Sequence, residues 1–470
     1  MPYQGLQLIA AVVWMFLGPI AAAQPQDKPD LLAEARRIRR LAVEEARKVG
    51  DGLDKNVLFS NIALLQARAG DFQDAFETAH SLPEPERSLA LESVARAQAE
   101  KGDVAAAMTT AGAIKDVRSR ADALSEAAVA QARAGDFRTA VATVKMIEDS
   151  PSSSGLRGFL LIAHFQNRAG DKAGAARTLR EAAVWIILKM REGQRSDAHR
   201  RFAISSLASI ASMQSRMGDA RSAAETREEM RKILEEIQNP ATRDSALAST
   251  VRALAASGDF VFAREIAEQM KQGGHRDSAL ASIAEEEARA GNLPAARGTI
   301  DTMEAPSEIA RARTSVGLIQ TNQGDPLGAI QTASSISDPK ARAEALIALA
   351  GTFARKKQGE PAVSALAQGL EAAQIAGKEK MEPQFWRDVV GVQAWSGNVL
   401  DALQTTRRIQ DEASRAWAIQ FVTHKESAAG DWRLALSWAE EETSPLVRAY
   451  ALLGVADGLR ARLVRTNAIK

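Results

Sequence analysis

The side chains that most often perform chemistry are scattered along this sequence. There are five histidines, none of them in an HExxH pair: His80, His164, His199, His275 and His424. The sequence has no Walker loop, GxSxG elbow, dinucleotide fingerprint or paired carboxylate cluster, and acidic runs such as Glu285–Glu287 are interpreted as solvated helix faces. We therefore expect a protein without catalytic residues, metal site or cofactor. The alternative is an enzyme that acts on glycans of the cell envelope.

Composition excludes further classes of function. The chain contains no cysteine, which rules out disulfides, thiolate metal sites and a lipoprotein anchor. Its 60 Lys and Arg residues balance 59 Asp and Glu residues, so there is no overall positive field and we expect no nucleic-acid partner. Aromatic residues make up only 5%. A core built from Ala, Leu, Ile and Val favours closely packed helices.

The first residues are typical of a secretory signal. An apolar stretch from Leu8 to Leu17 is followed by a Gly-Pro break and by Ala21–Ala23, a small-residue cleavage site before Gln24. We predict a signal peptide over residues 1–23, a short linker over 24–30, and an exported protein, periplasmic or secreted. The segment before the apolar stretch has no Lys or Arg. An uncleaved membrane anchor therefore stays open, although about ten apolar residues are few for a bilayer span.

The elements that must position any site are repeated. The seven residues from Gln66 to Phe72 recur letter for letter at Gln131–Phe137. With the glycine as an anchor, weaker copies extend the series to eleven units: Gly70, Gly102, Gly135, Gly170, Gly218, Gly258, Gly291, Gly324, Lys357, Gly397 and Gly430. A glycine ends a helix cheaply in the left-handed conformation, and the Asp or Asn that follows in ten units can cap the next helix. The pattern predicts a row of helical hairpins.

Apolar residues at helical spacing define the buried faces of these hairpins. The residue eleven places before the anchor is large and apolar in ten units. An Ala stands five places after the anchor in all eleven units. The Ala is expected where the second helix crosses the first. Leu31–Lys48 and Arg448–Arg462 predict N- and C-terminal capping helices. We therefore predict one all-α solenoid over residues 31–463, with a flexible tail over 464–470.

Two polar series accompany the repeat. Gln occurs four places before the anchor in seven units: Gln66, Gln98, Gln131, Gln166, Gln214, Gln320 and Gln393. These amides either bond to one another across successive helices or to loop carbonyls, or they form a polar ligand track. A cation stands fifteen places before the anchor in seven units, as in Arg120 and Arg342. This position lies beside the carbonyl end of the preceding helix, which favours a structural ladder of ion pairs over an anion-binding edge.

The repeat length and these offsets resemble the tetratricopeptide repeat, from about residue 30 to residue 460. The resemblance implies a right-handed α-solenoid of about eleven hairpins, with a protein or peptide partner in its concave groove. The departures are systematic. The usual Tyr of the family is replaced by the Gln series, and a position that is usually small is Leu, Ile or Met. The chain therefore looks like a divergent, Ala-rich bacterial branch.

The resemblance also implies which side chains face the groove. They include Leu160, His164, Ala208, Arg252 and Glu285. The C-terminal end differs from the rest, because five of the seven Trp lie between Trp386 and Trp438. We predict a ligand-binding site there, formed by Arg387, Trp395, Trp417, Gln420 and His424. The alternative is that these aromatic residues thicken the packing near the end of the array.

The function predicted from these features is an exported, non-catalytic scaffold of the bacterial cell envelope that binds a protein or peptide. The alternative is a factor that handles or assembles envelope polysaccharide, with a glycan in the groove. Aromatic residues interleaved with acids would favour sugar, whereas mixed polar and small residues would favour peptide.

Overall fold

The computed structural model describes residues 27–147, 153–192, 196–270 and 273–468. Within these ranges the chain forms 24 α-helices, one short 3₁₀ helix (Lys378–Lys380) and no strand. The predicted all-α fold is confirmed. The predicted signal peptide, residues 1–23, lies outside the described residues.

The helices alternate between two layers. The even-numbered helices are the first helix of each hairpin: α2 (Leu53–Ala69), α4 (Glu86–Glu100), α6 (Val117–Arg133), α8 (Ser153–Arg168), α10 (Asp197–Arg216), α12 (Pro240–Ala256), α14 (Gly273–Arg289), α16 (Pro306–Gln323), α18 (Pro339–Arg355), α20 (Pro383–Trp395), α22 (Glu412–Ala429) and α24 (Pro445–Ala468). The odd-numbered helices are α1 (Asp27–Arg47), α3 (Phe72–His80), α5 (Val104–Ala113), α7 (Phe137–Lys145), α9 (Lys172–Glu192), α11 (Ala220–Glu235), α13 (Phe260–Glu268), α15 (Leu293–Asp301), α17 (Pro326–Ser334), α19 (Gly359–Ala376), α21 (Val399–Thr406) and α23 (Trp432–Glu441). Each even helix contacts the even helices before and after it, whereas odd helices hardly touch one another. The layer whose members touch has the smaller circumference, so the even helices are the inner layer.

The array closes on itself. Helix α1 packs along α24 as the second helix of a twelfth hairpin, and α24 also contacts α2. One buried apolar cluster contains Ile38 of α1 together with Leu453 and Val455 of α24, and all three side chains are fully buried. The two helices predicted as caps are present, and they cover each other. The result is a ring of twelve hairpins whose last hairpin is assembled from both ends of the chain.

The ring closes where α22 and α24, on one side, meet α1 and α2, on the other. We call this boundary the seam. Polar contacts cross it. Arg448 lies 3.8 Å from Glu45 of α1, and the Asn61 amide of α2 donates to Gln420 of α22 at 3.1 Å. Close approach on the α24 side depends on Gly454, because a Cβ there would lie 2.2 Å from the Gln420 carbonyl oxygen.

The anchors adopt the predicted conformation in ten of eleven units. Nine glycines have φ between 81° and 91°, and Lys357 has φ 59°. At Gly135 the N–H of Asp136 donates to the Gln131 carbonyl at 3.0 Å, and the Asp136 carboxylate accepts the Thr139 N–H at 3.1 Å. This is a Schellman turn that leads directly into an N-cap.

Gly430 is the exception, with φ −114°. The N–H of Asp431 donates to the side chain of Glu426 at 2.8 Å. In the other units the corresponding N–H donates to the backbone carbonyl of the residue five places earlier, as Asp136 does to Gln131. Because the carboxylate replaces the carbonyl as acceptor, the turn does not need the left-handed conformation.

The repeated alanines lie where predicted. All eleven have no exposed surface: Ala75, Ala107, Ala140, Ala175, Ala223, Ala263, Ala296, Ala329, Ala362, Ala402 and Ala435. A methyl group at this crossing lets the outer helix approach the inner helix closely. The register of both helices in every hairpin follows from this contact.

The Gln series is structural, but its partner differs from both predicted partners. In five of the seven units the Gln side-chain oxygen accepts a hydrogen bond from a buried Thr twelve residues later, on the outer helix of the same hairpin. The side-chain oxygens of Gln66 and Gln393 do not form this bond. The distance is 2.7 Å for Gln98 and Thr110, and 2.8 Å for Gln131 and Thr143. The same bond forms from Gln166, Gln214 and Gln320. Each pair joins the two helices of a hairpin near the turn.

The cation series lies at the carbonyl ends of outer helices, as predicted, and the predicted ion pairs form at some of its members. Lys55 lies 2.9 Å from Asp51, and Arg415 pairs with Glu442. Other members bond backbone carbonyls instead. Arg120 donates to the Ile114 carbonyl at 3.3 Å, and Arg342 to the Ile336 carbonyl at 2.9 Å. Asp338 has another role, since it caps α18. These two guanidinium groups therefore satisfy the last carbonyls of their outer helices.

The helical region is longer than predicted at both ends. Helix α1 begins at Asp27, inside the predicted linker over 24–30, and α24 continues to Ala468, inside the predicted tail over 464–470. Neither stretch contains a glycine, and α1 and α24 pack against each other.

A pair of glycine substitutions tests the anchor assignment. Gly135→Ala is expected to destabilise the protein by about 1 kcal/mol, since an L-residue is strained at its φ of 85°. Gly298→Ala, on the exposed face of α15, is expected to stabilise by roughly 0.5–1 kcal/mol, because a helical glycine lacks side-chain restriction in the unfolded chain. Open space surrounds both positions, so thermal unfolding compares backbone conformation alone. Equal shifts for the two variants would contradict the assignment.

A double-mutant cycle tests the Gln–Thr bond. Gln131→Leu and Thr143→Val should each cost about 1–3 kcal/mol, because each leaves a buried polar partner unpaired. The double variant should recover much of that loss. The sixth unit already has an apolar pair at these positions, Leu254 and Ile266. Additive losses in unfolding experiments would show that the two side chains do not depend on each other.

Candidate binding surface on the inner helices

The five predicted ligand-binding residues lie on two neighbouring inner helices. Arg387 and Trp395 belong to α20, whereas Trp417, Gln420 and His424 belong to α22. The structure thus brings them to one part of the ring, next to the seam.

Trp395 is 43% exposed, and one face of its indole is covered. The Lys425 ammonium lies over the ring, and the Phe421 ring is 6.1 Å away between centroids. Burial lowers the pKa of Lys425 to about 8, with the charge of Arg465 acting in the same direction. This indole therefore forms part of an internal cluster with a cation on its face.

Gln420 makes a contact across the seam, whereas His424 contacts α24 on the same side of the seam. Gln420 accepts the Asn61 bond described above, and His424 Nδ1 lies 3.0 Å from a carboxylate oxygen of Asp457 on α24. Burial alone would raise the pKa of Asp457, but the hydrogen bond and charge of His424, together with Arg460, hold it below its usual value. These two side chains join α22 to its neighbours.

Trp417 packs on Tyr450 of α24, with 5.3 Å between ring centroids, and remains 40% exposed. Arg387 is half-buried. Hydrogen bonds from Ser414 lower the pKa of Asp411, and the charge of Arg387 acts in the same direction. A ligand role for the five residues stays a prediction. The contacts described here also agree with the alternative, in which they support packing between helices.

A cavity of about 670 Å³ lies elsewhere on the inner face, bordered by α8, α10, α12 and α14. Its lining includes five side chains that the resemblance placed in the groove: Leu160, His164, Ala208, Arg252 and Glu285. The volume is in the range typical of ligand sites. Among neighbouring inner helices, α8 and α10 touch least, and the cavity lies in the gap between them.

The apolar part of the lining is aliphatic and contains two thioethers. Leu160 and Leu161 come from α8, and Met213 comes from α10 with Met217 directly after it. All four are partly exposed. Methionine side chains adjust their shape readily, so this part of the lining can accept aliphatic groups of different outline.

The charged part of the lining is mostly paired. Glu286 accepts hydrogen bonds from Arg216 at 2.9 Å and from Arg289 at 2.5 Å. Glu285 lies 3.6 Å from Arg289 and 3.7 Å from Arg311. Arg252 is exposed and forms no ion pair with any described residue. The cavity therefore offers one uncompensated guanidinium next to aliphatic side chains.

The interpretation of Glu285–Glu287 as a solvated helix face is wrong. Glu286 is 9% exposed and Glu287 is 2% exposed. Glu287 occupies the Gln position of its unit, accepts the Thr299 hydroxyl at 2.8 Å and pairs with Arg264 of α13. A buried carboxylate is tolerated there because both partners satisfy it.

Sequence reasoning missed other residues of this cavity, among them Met213, Arg216 and Glu286. A signal was available in the spacing of the anchors. Gly170 and Gly218 are 48 residues apart, and the extra residues lengthen α9 to 21 residues, whereas α7 has nine. The least contact between inner helices occurs at this unit.

No helix among the described residues is both long enough and apolar enough to cross a membrane.

No protein-family model and no curated protein matches this sequence. Solved structures do. The pentatricopeptide repeat protein PPR10 from maize is 16% identical, covering 99% of this chain and 71% of its own, with a TM-score of 0.31. A structure of Naa15/Naa10 bound to HypK-THB is 13% identical, covering 83% and 70%, with a TM-score of 0.23. A circular tandem repeat protein with novel repeat topology is 13% identical, covering 93% and 90%, with a TM-score of 0.19.

The class of this protein rests on its own hairpins. It is an α-helical repeat protein built of helical hairpins.

Proposed function

We propose that this protein is an exported, non-catalytic scaffold of the bacterial cell envelope that binds a peptide or a segment of a protein on its inner face. The observation that carries the proposal is the cavity bordered by α8, α10, α12 and α14, with its aliphatic lining and its unpaired Arg252. A side chain such as Leu or Ile fits the Leu–Met part. A neighbouring acidic group would complement Arg252.

The lining favours peptide over glycan. Apart from the imidazole of His164, the residues around the cavity carry no ring, and its two acids are already paired with arginines. The sequence criterion for a sugar groove was aromatic residues interleaved with acids. The mixed polar, small and aliphatic lining meets the criterion for a peptide instead.

The site is tested with a peptide array in which aliphatic and acidic residues are varied, followed by affinity measurements on the peptides that bind. Arg252→Ala is expected to weaken binding about tenfold or more, since a charge-assisted hydrogen bond is lost. Met213→Ala should weaken binding of peptides with a large aliphatic residue more than of those with Ala. Arg221→Ala is the matched control, because Arg221 is exposed on the outer helix α11.

The same assay decides between the two parts of the inner face. Arg387→Ala and Trp395→Ala, checked for retained helicity and melting temperature, should leave the affinity unchanged. If these two variants lose binding while Arg252→Ala does not, the ligand lies at the C-terminal cluster and the cavity assignment is wrong.

Export is tested on the protein itself. Protein recovered from the envelope fraction should begin at Gln24, as determined by intact mass and N-terminal sequencing. Substituting Ala21 and Ala23 with Leu should block cleavage, because signal peptidases need small residues at these positions. Protein with residues 1–23 intact and confined to the cytosolic fraction would contradict the proposal.

A further inference from the structure

The seam is a complete protein interface whose two sides come from opposite ends of the chain. On one side α1 contributes Ala35, Ile38, Ala42 and Ala46, each without exposed surface. The same buried cluster includes Leu453 of α24. Interfaces with a core this apolar are typical of permanent subunit contacts.

The seam is also specific in its polar contacts. Arg448 pairs with Glu45, Asn61 bonds Gln420, and the Arg460 guanidinium donates to the Arg68 carbonyl at 3.3 Å. Three polar contacts at separate positions fix the register of the apolar faces. The two sides are therefore complementary in shape, apolar pattern and polar groups.

No covalent link crosses the seam. The loop that joins α1 to α2 lies wholly on one side, and α22 and α24 lie wholly on the other. Every contact of the seam can therefore form between two copies as well as within one. A closed ring of two copies requires each array to adopt about half the curvature of the single ring, and this change is shared among all of its hairpins.

We propose that the seam is an interaction surface for a second copy of this chain: α1 and α2 of one copy bind α22 and α24 of another, in head-to-tail order. The contact is heterologous, since different surfaces meet. Two open arrays joined at both ends form a larger closed ring, and further copies extend it. The proposal concerns only the chain ends and does not depend on peptide binding.

The seam can form within one chain or between two copies, and the competition between these two arrangements determines when a second copy binds. Within one chain the two ends meet at an effective concentration on the order of millimolar, so a single ring forms in dilute solution. When chains fold at high concentration, an end can meet a second copy first. The product then persists, because opening the seam exposes a fully buried apolar face to water.

The absence of cysteine from the chain allows a direct experiment. Two full-length variants, Glu45→Cys and Arg448→Cys, carry different mass tags, are mixed in equal amounts while unfolded, and are refolded over a range of concentrations. A short bismaleimide then links neighbouring thiols. The expected result is a mixed dimer whose fraction rises with the protein concentration during refolding, whereas mixing after refolding gives little.

A matched control replaces Glu45→Cys with Arg221→Cys, an exposed position on α11 whose side chain is 90% exposed. This pair should give only the low level of collisional product. A second arm adds Ile38→Asp to the Glu45→Cys variant, which removes the apolar contact of α1 and should abolish the concentration-dependent product. Circular dichroism checks that the remaining helices are retained.

The proposal is overturned if the seam pair gives no more mixed dimer than the Arg221→Cys control at the highest concentration. It is also overturned if Ile38→Asp leaves the mixed dimer unchanged, because the product would then form elsewhere. If Ile38→Asp prevents folding altogether, the comparison of the seam pair with the control pair still decides. Size-exclusion chromatography with light scattering provides the mass of each product.

Discussion

The packing of α1 against α24 is the contact on which the rest of this architecture depends. A row of hairpins buries apolar surface between neighbours, which leaves one apolar face bare at each end. Here each bare face covers the other, so Ile38 and Leu453 belong to one core. Closure also bends the inner layer onto a short circumference, and α22 and α24 come so close that Gly454 has no room for a side chain.

The hairpins themselves could be predicted from local sequence, because each depends on residues within one repeat. The positive φ at Gly135 and the buried Ala140 follow from a helix stop and a helix crossing. Closure could not be predicted in this way, since the twelfth hairpin joins residues 27–47 to residues 445–468. One sign of it was present. Arg448 continues the cation series of first helices, in the unit whose second helix is α1.

The Gln–Thr bond could have been predicted and was not. In each of the seven units with Gln at its position, a Thr stands twelve residues later; Glu287 likewise has Thr299. The remaining units have neither the polar residue with this bond nor the Thr. One of them has Leu254 with Ile266, and another has Phe353 with Ala365. Because buried polar side chains must find partners within reach, the paired occurrence indicated a bond within the hairpin rather than between successive inner helices. Five of the seven units form it.

The position of the candidate site follows from the same constraint of closure. A ring whose inner helices all touch has little room for a ligand between them, so binding space requires a unit that departs from the common spacing. That unit is the one between Gly170 and Gly218, where α8 and α10 separate beside the elongated α9. The tryptophans near the C-terminus pointed to the other side of the ring. Several residues next to these tryptophans form contacts between α22 and α24, because both helices are needed to close the seam.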